Sequence, residues 1–170
     1  LGLAPTSSTT AMLAMGDAIA IALLEKKGFR EKDFALFHPG GILGKRLILK
    51  VADIMRKGSA NPVVGEDTLV KKVLVAITKA RAGSASVVDH KGRLVGIFTD
   101  GDLRRHVESD PRLVERKVKN VMTKNPSCIN KEKLAAEAFD ILRSKRIDEL
   151  PVVDEKKRPI GLLDVQDLLK

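Results

Sequence analysis

Apolar residues recur at three- and four-residue steps in two windows, LVKKVLVAITKA (69–80) and KLAAEAFDILRSK (133–145), a spacing that predicts two amphipathic helices. Each window is preceded by an Asn-Pro pair (61–62 and 125–126) and a short apolar stretch. A residue before proline is pushed away from the helical region, so each stretch is predicted to be extended. Each window is followed by two Val/Ile-rich segments around a polar turn, DHKGR (89–93) or DEKKRP (154–159), and the pattern predicts a pair of short strands. A last helix is predicted to begin at Thr99 in one half and at Asp164 in the other.

The two halves repeat one another. VADIM (51–55) returns as VKNVM (118–122), NPVV (61–64) as NPSC (125–128), SVVD (86–89) as PVVD (151–154), and VGIFTDGDL (95–103) as IGLLDVQDL (160–168). The offset stays near 65 residues, so the chain from 51 onward reads as two β-α-β-β-α units. A unit this small buries little surface alone. Two copies packed sheet to sheet around one shared core, related by a pseudo-twofold axis, are therefore expected, with a cleft between them.

The stretch before the repeats has a different pattern. PTSSTTAMLAMGDAIAIALLEKKG (5–28) is predicted to be a helix, with Ser/Thr residues at its start and Gly28 past its end. It is apolar nearly all round, so burial against another element or subunit is expected. Asp17 inside it is expected to make a local hydrogen bond. The apolar run 11–24 falls short of the ~20 residues that span a bilayer, so no membrane span is expected.

Composition narrows the function classes. The 170 residues carry a formal charge of +9, with 31 Lys and Arg spread among 22 acids, no Trp or Tyr, and five Phe. Basic chains often meet phosphates or nucleic acid. With few aromatics to stack on bases, an anionic small molecule fits the charge better than sequence-specific nucleic-acid binding. The single Cys128 excludes an internal disulfide and fits a reducing cytoplasm. His38, His90 and His106 lie far apart, so no metal site with recognisable spacing is expected.

Candidate chemistry concentrates in GIFTDGDLRR (96–105). Thr99 three residues before Asp102 reads as a capping box, in which each side chain satisfies a free backbone N–H of the helix start. It reads equally as a hydroxyl and a carboxylate held at the mouth of a strand–helix turn for a ligand. Arg104 and Arg105, one turn later, suit bidentate pairing with phosphate or carboxylate, or a solvated surface pair.

The doubled pattern DIM/NVM, VVD and Gly-apolar-apolar-x-x-x-Asp-Leu resembles tandem CBS motifs. That resemblance implies an α/β (α+β) fold of two pseudo-symmetric β-α-β-β-α repeats, with clefts that bind nucleotides, often adenosyl ones. It also implies ribose-holding roles for Asp102 and Asp167 and a phosphate-facing role for Thr99. Asp164 replaces threonine in the second copy, where it would repel phosphate, so the first cleft is the expected site.

LGLAPTSSTTAMLAMGDAIA (1–20) and DFALFHPGGILGKRLILKVADIM (33–55) resemble the end of the sugar-isomerase domain in arabinose-5-phosphate isomerases, which continue into a CBS pair. The resemblance implies three segments: 1–50 as the tail of a sugar-isomerase domain, 51–110 as the first CBS motif and 111–170 as the second. It implies a parent enzyme interconverting ribulose 5-phosphate and arabinose 5-phosphate at the entry to the Kdo sugar of lipopolysaccharide. His38, in the HPGG turn, is its catalytic candidate. The fragment itself is expected to be inactive, to need no cofactor, and to take a nucleotide effector, CMP-Kdo or an adenosyl nucleotide. A cytoplasmic homodimer or homotetramer is expected, without nucleic-acid or membrane partners. A purely structural dimerisation module and the effector domain of a phosphosugar-responsive regulator are the alternatives.

Overall fold

The structure is a computed structural model and describes residues 4–30, 33, 49–108 and 110–168. The chain divides into two compact units, Leu1–Ile48 and Leu49–Lys170.

In the first unit, helix α1 runs over Ser7–Lys26. Its Thr9 and Thr10 hydroxyls donate to the Thr6 carbonyl, which satisfies them within the first turn. The expected burial is not met within this chain, because no residue of α1 is buried and Met12, Leu13, Met15, Ile19 and Ile21 are exposed. Asp17 is exposed as well, and the expected local hydrogen bond is not found among the described residues. The apolar run lies within a helix of 20 residues, which by length and composition alone is long and apolar enough to cross a membrane. Length therefore does not exclude a span as the run suggested. The catalytic candidate His38 lies outside the described residues.

The second unit holds the repeats. In the first repeat, strand β1 (Val63–Gly65) pairs in parallel with β2 (Ser84–Val88), and β2 pairs antiparallel with β3 (Leu94–Thr99). Helix α3 (Val70–Ala80) makes the crossover from β1 to β2, after the short helix α2 (Val51–Ile54). Helix α4 (Asp100–Val107) follows β3 directly. The second repeat matches it: β5 (Ile129–Asn130), α5 (Ala135–Lys145), β6 (Glu149–Val153) and β7 (Pro159–Asp164) have the same pairings. Its last element differs from expectation. After Asp164 the chain makes a 3-10 turn, Val165–Leu168, in place of an α-helix.

Both crossover helices bury the face their spacing predicts. Val70, Val73, Ile77 and Ala80 are buried on α3, and Ala135, Ala138 and Leu142 on α5. Each large apolar side chain so buried contributes about 1.5–3 kcal/mol. Both helices end on an arginine in the left-handed region, Arg81 at φ 51° and Arg146 at φ 53°.

The expectation of one shared core is corrected. Among the described residues there are two clusters, one around Val73, Val87, Phe98, Leu113 and Val118, the other around Val51, Leu142, Leu150, Val152 and Leu163. Each is completed by the other repeat's leading segment. Leu113, Val118, Val121 and Met122, from the leading segment of the second repeat, pack into the first cluster, and strand β4 (Thr123–Lys124) adds to the edge of β3. Val51, Ile54 and Met55, from the leading segment of the first repeat, pack into the second cluster, and Arg56 bridges to Leu162 on β7. The repeats thus exchange leading segments, and each cluster holds residues of both.

Two glycines receive the exchanged methionines. A Cβ on Gly96 of β3 would overlap the Met122 side chain, and one on Gly161 of β7 would lie 2.6 Å from Met55 Sδ and 3.0 Å from the Arg56 carbonyl oxygen. The glycine of each Gly-apolar-apolar motif is thereby tied to the methionine of the other copy's leader.

Candidate functional site

The first cleft centres on Asp102, which is 3% exposed. Thr99 leaves β3 in extended geometry and caps α4, its hydroxyl accepting the Asp102 N–H at 3.1 Å. In return Asp102 Oδ2 accepts from the Thr99 N–H and the Thr99 hydroxyl, both at 2.9 Å. The capping box read from the sequence is formed. Asp102 Oδ1 accepts from Arg105 Nη2 at 2.5 Å and from the Thr123 hydroxyl at 3.0 Å. Thr123 comes from β4, the leader of the second repeat, so exchange places it at this carboxylate. Arg104 is exposed and is not brought to Asp102.

The hydrogen bonds on this carboxylate from Thr99, Thr123 and Arg105 differ in strength. Thr99 and Thr123 are fixed by the backbone on which they sit. The Arg105 side chain is 65% exposed, so water can take over its guanidinium, while the buried Asp102 keeps its Thr99 and Thr123 bonds. Arg105 can therefore leave, freeing Oδ1 for a ligand hydroxyl and its own guanidinium for an anion.

The second cleft is related by the repeat, with Asp167 in place of Asp102 and Asp164 in place of Thr99. The Asp164 N–H donates to Asp167 Oδ2 at 3.2 Å, repeating half of the box. A carboxylate at 164 has no proton to offer Asp167, so two acids face one another. Arg56 resolves the clash: Nε donates to Asp167 Oδ2 at 2.7 Å, and Nη2 reaches Asp167 Oδ1 at 3.3 Å and Asp164 Oδ2 at 3.1 Å. Its Nη1 donates to the Arg81 carbonyl at 3.3 Å. Burial lowers the Arg56 pKa, but the Asp167 hydrogen bond and the charges of Asp167, Asp164 and Glu149 outweigh this, and the net shift is upward.

Arg56 was not singled out in the sequence, although a signal was present. Met55-Arg56 stands where the other copy has Met122-Thr123, and Asp164 stands where it has Thr99. Both departures from threonine fall in one cleft because the leaders are exchanged. The Arg56, Asp164 and Asp167 side chains are 20%, 17% and 10% exposed. Removing one member of a pair this buried costs about 3–5 kcal/mol, because the other charge is left uncompensated.

Glu149 of β6 extends the same cluster, its Oε1 accepting from the Gly83 N–H of the first repeat at 2.8 Å. Burial pushes the Glu149 carboxyl up, opposed by the Gly83 N–H and the charge of Arg56. An acid whose folded pKa is raised adds stability only while protonated. That contribution is complete below the unfolded value and is lost as pH rises through the folded one. Glu149→Gln is accordingly expected to raise the melting temperature at pH 7 and to match the parent chain below about pH 4, as thermal scans against pH would show.

A depression of about 420 Å³ lies elsewhere, lined by residues that include Gly65, Thr68, Lys72, Asp89 and His90. It sits at the Val88 end of β2, whereas Thr99 pairs with Ser84 at the opposite end, so it is separate from the Asp102 cleft. Among the described residues, no group of three His, Cys, Asp or Glu is arranged to hold a metal ion.

Comparison with known proteins agrees with this architecture. The CBS domain family matches residues 51–109 and 118–170. Over all 170 residues the chain is 47% identical to the arabinose 5-phosphate isomerase KdsD of Francisella tularensis and 47% identical to that of Pseudomonas aeruginosa. It covers 52% of each, so it spans about half the length of these curated relatives. Among solved structures, the CBS-pair protein CBSX2 from Arabidopsis thaliana in complex with AMP superposes with a TM-score of 0.62 at 25% identity, over 71% of this chain and 93% of that one.

Proposed function

Because the chain belongs to the CBS domain family, matched over both repeats, we propose that it is the nucleotide-sensing module of an arabinose-5-phosphate isomerase. In this reading the ligand binds at Thr99, Asp102 and Arg105 and adjusts the parent's interconversion of ribulose 5-phosphate and arabinose 5-phosphate. The observation that carries it is the buried Asp102 carboxylate, held in place by Thr99 and Thr123 while its remaining partner, Arg105, is largely exposed. A ribose hydroxyl replaces Arg105 at Oδ1, and the released guanidinium meets the ligand's phosphate or carboxylate. The 25% identity to a CBS-pair protein that binds AMP supports a nucleotide as the ligand class.

The isomerase assignment rests on relatives nearly twice as long. In those terms residues 1–50 are the end of a sugar-isomerase domain, and the exposed apolar surface of α1 is covered by the rest of it. His38 keeps its proposed catalytic role there. The parent is a cytoplasmic oligomer in a pathway toward Kdo and lipopolysaccharide, and CMP-Kdo is the proposed effector because one molecule carries a ribose, a phosphate and a carboxylate.

Calorimetric titration with AMP, ATP, CMP and CMP-Kdo tests the reading. Cytidine preference is expected, with CMP-Kdo tightest; adenosyl preference makes the module an energy sensor, and silence from all four removes the sensing role. Arg105→Ala is expected to weaken binding about tenfold, equivalent to 1.4 kcal/mol, without moving the melting temperature. Unchanged affinity in that variant would remove Arg105 from the site. A purely structural module is the second reading, favoured by one observation: Thr99, Thr123 and Arg105 together engage both oxygens of Asp102 and serve the cap and the repeat exchange.

A further inference from the structure

We propose that Arg56 is a built-in counter-ion that fills the second cleft, so that this pair takes its nucleotide in the first cleft alone. The proposal rests on the binding role argued for Asp102 and adds what makes the two clefts unequal. In the first cleft the cation on the carboxylate, Arg105, stands 65% exposed on the helix flank and holds one oxygen. In the second cleft the cation, Arg56, is 20% exposed, comes from the exchanged leader, holds both oxygens of Asp167 and also bonds Asp164. A ligand hydroxyl entering there displaces a buried guanidinium and leaves Asp164, Asp167 and the nearby Glu149 without their shared cation.

The alternative, in which Arg56 stays and receives the ligand's phosphate, is opposed by the same geometry. Its Nε and Nη2 are committed to carboxylates, and its Nη1 to the Arg81 carbonyl. A phosphate would also have to approach two or three carboxylates. The leader's attachment and the cleft's occupancy are thus one interaction, whereas in the first cleft the leader attaches through the neutral Thr123 and a removable cation remains.

The pair of departures is directly reversible. Arg56→Thr with Asp164→Thr gives the second cleft the residues of the first at both positions. Equilibrium dialysis with CMP and AMP is expected to give one nucleotide per parent chain and two per double variant, the second site within about tenfold of the first. The reciprocal pair, Thr99→Asp with Thr123→Arg, is expected to abolish binding while melting cooperatively, and it serves if the first double variant does not fold. Two nucleotides on the parent chain, or no change from either folded double variant, overturns the proposal.

A ligand-free arm separates this from failure of the sensing role. By amide hydrogen exchange, Arg56→Thr alone is expected to speed exchange at the Gly83 and Asp164 N–H groups at least tenfold and to leave Thr99 and Asp102 unchanged. No acceleration at Gly83 and Asp164 overturns the counter-ion role, whatever the nucleotide titrations give.

Discussion

Gly161→Val is expected to lower the stability of the repeat pair by about 2–3 kcal/mol, with a fall in melting temperature on the order of 5–10 °C. Its first added carbon meets Met55 Sδ at 2.6 Å and the Arg56 carbonyl at 3.0 Å. Methionine is adaptable and can swing aside. The carbonyl cannot, because it accepts the Leu162 N–H at 3.1 Å while the Arg56 N–H donates to the Leu162 carbonyl at 2.8 Å. At Gly96 the crowding atoms are all Met122 side chain. Truncating the methionine should therefore rescue the two glycines unequally. Met122→Ala should relieve much of the packing clash of Gly96→Val, whereas Met55→Ala should relieve only part of Gly161→Val. Equal rescue, measured by chemical denaturation of the four variants, would show that the leader yields at both sites and would sink the argument.

The same residues mark what the sequence made legible. The repeat was plain because the helical faces of 69–80 and 133–145 and the Gly-apolar-apolar motifs return at a constant offset. Exchange of leaders was not, since both copies carry a methionine leader and a receiving glycine. Each methionine fits its own copy's glycine as well as the other's, and periodicity records which face is apolar, not which sheet it meets. The second terminal helix failed for a local reason. Thr99 can both accept the Asp102 N–H and donate to its carboxylate, whereas Asp164 turns to Arg56 and to the Gln166 N–H, and the chain tightens into a 3-10 turn. Asp164 was visible in the sequence as a departure that disfavours phosphate. Its counter-ion stands on a segment more than a hundred residues earlier, which only the exchange of leaders brings near.

The opening ambiguity of Thr99-x-x-Asp102, cap or ligand site, turns on Asp102→Ala, which is expected to cost about 3 kcal/mol. The substitution removes a buried carboxylate that accepts from the Thr99 backbone, the Thr99 hydroxyl, the Thr123 hydroxyl and Arg105. Hydrogen bonds to a charged acceptor contribute about 1.5–3 kcal/mol; Thr123 and Arg105 are exposed and can turn to water, whereas the half-buried Thr99 loses the acceptor of both its N–H and its hydroxyl. Thr123→Val removes one of these bonds at nearly constant volume and should cost about 1 kcal/mol. Arg105→Ala, at an exposed position, should cost next to nothing. The ranking Asp102 well above Thr123, and Thr123 above Arg105, is the signature of a carboxylate that anchors the α4 start and the second leader together. If Asp102→Ala melts with the parent chain, the cap contributes nothing and the buried charge is kept for a ligand alone. The expected loss does not count against binding. A carboxylate that must meet a ligand hydroxyl at a fixed angle has to be held by something else, and here the cap holds it: Oδ2 stays with Thr99, Oδ1 keeps Thr123, and only the place of Arg105 changes hands.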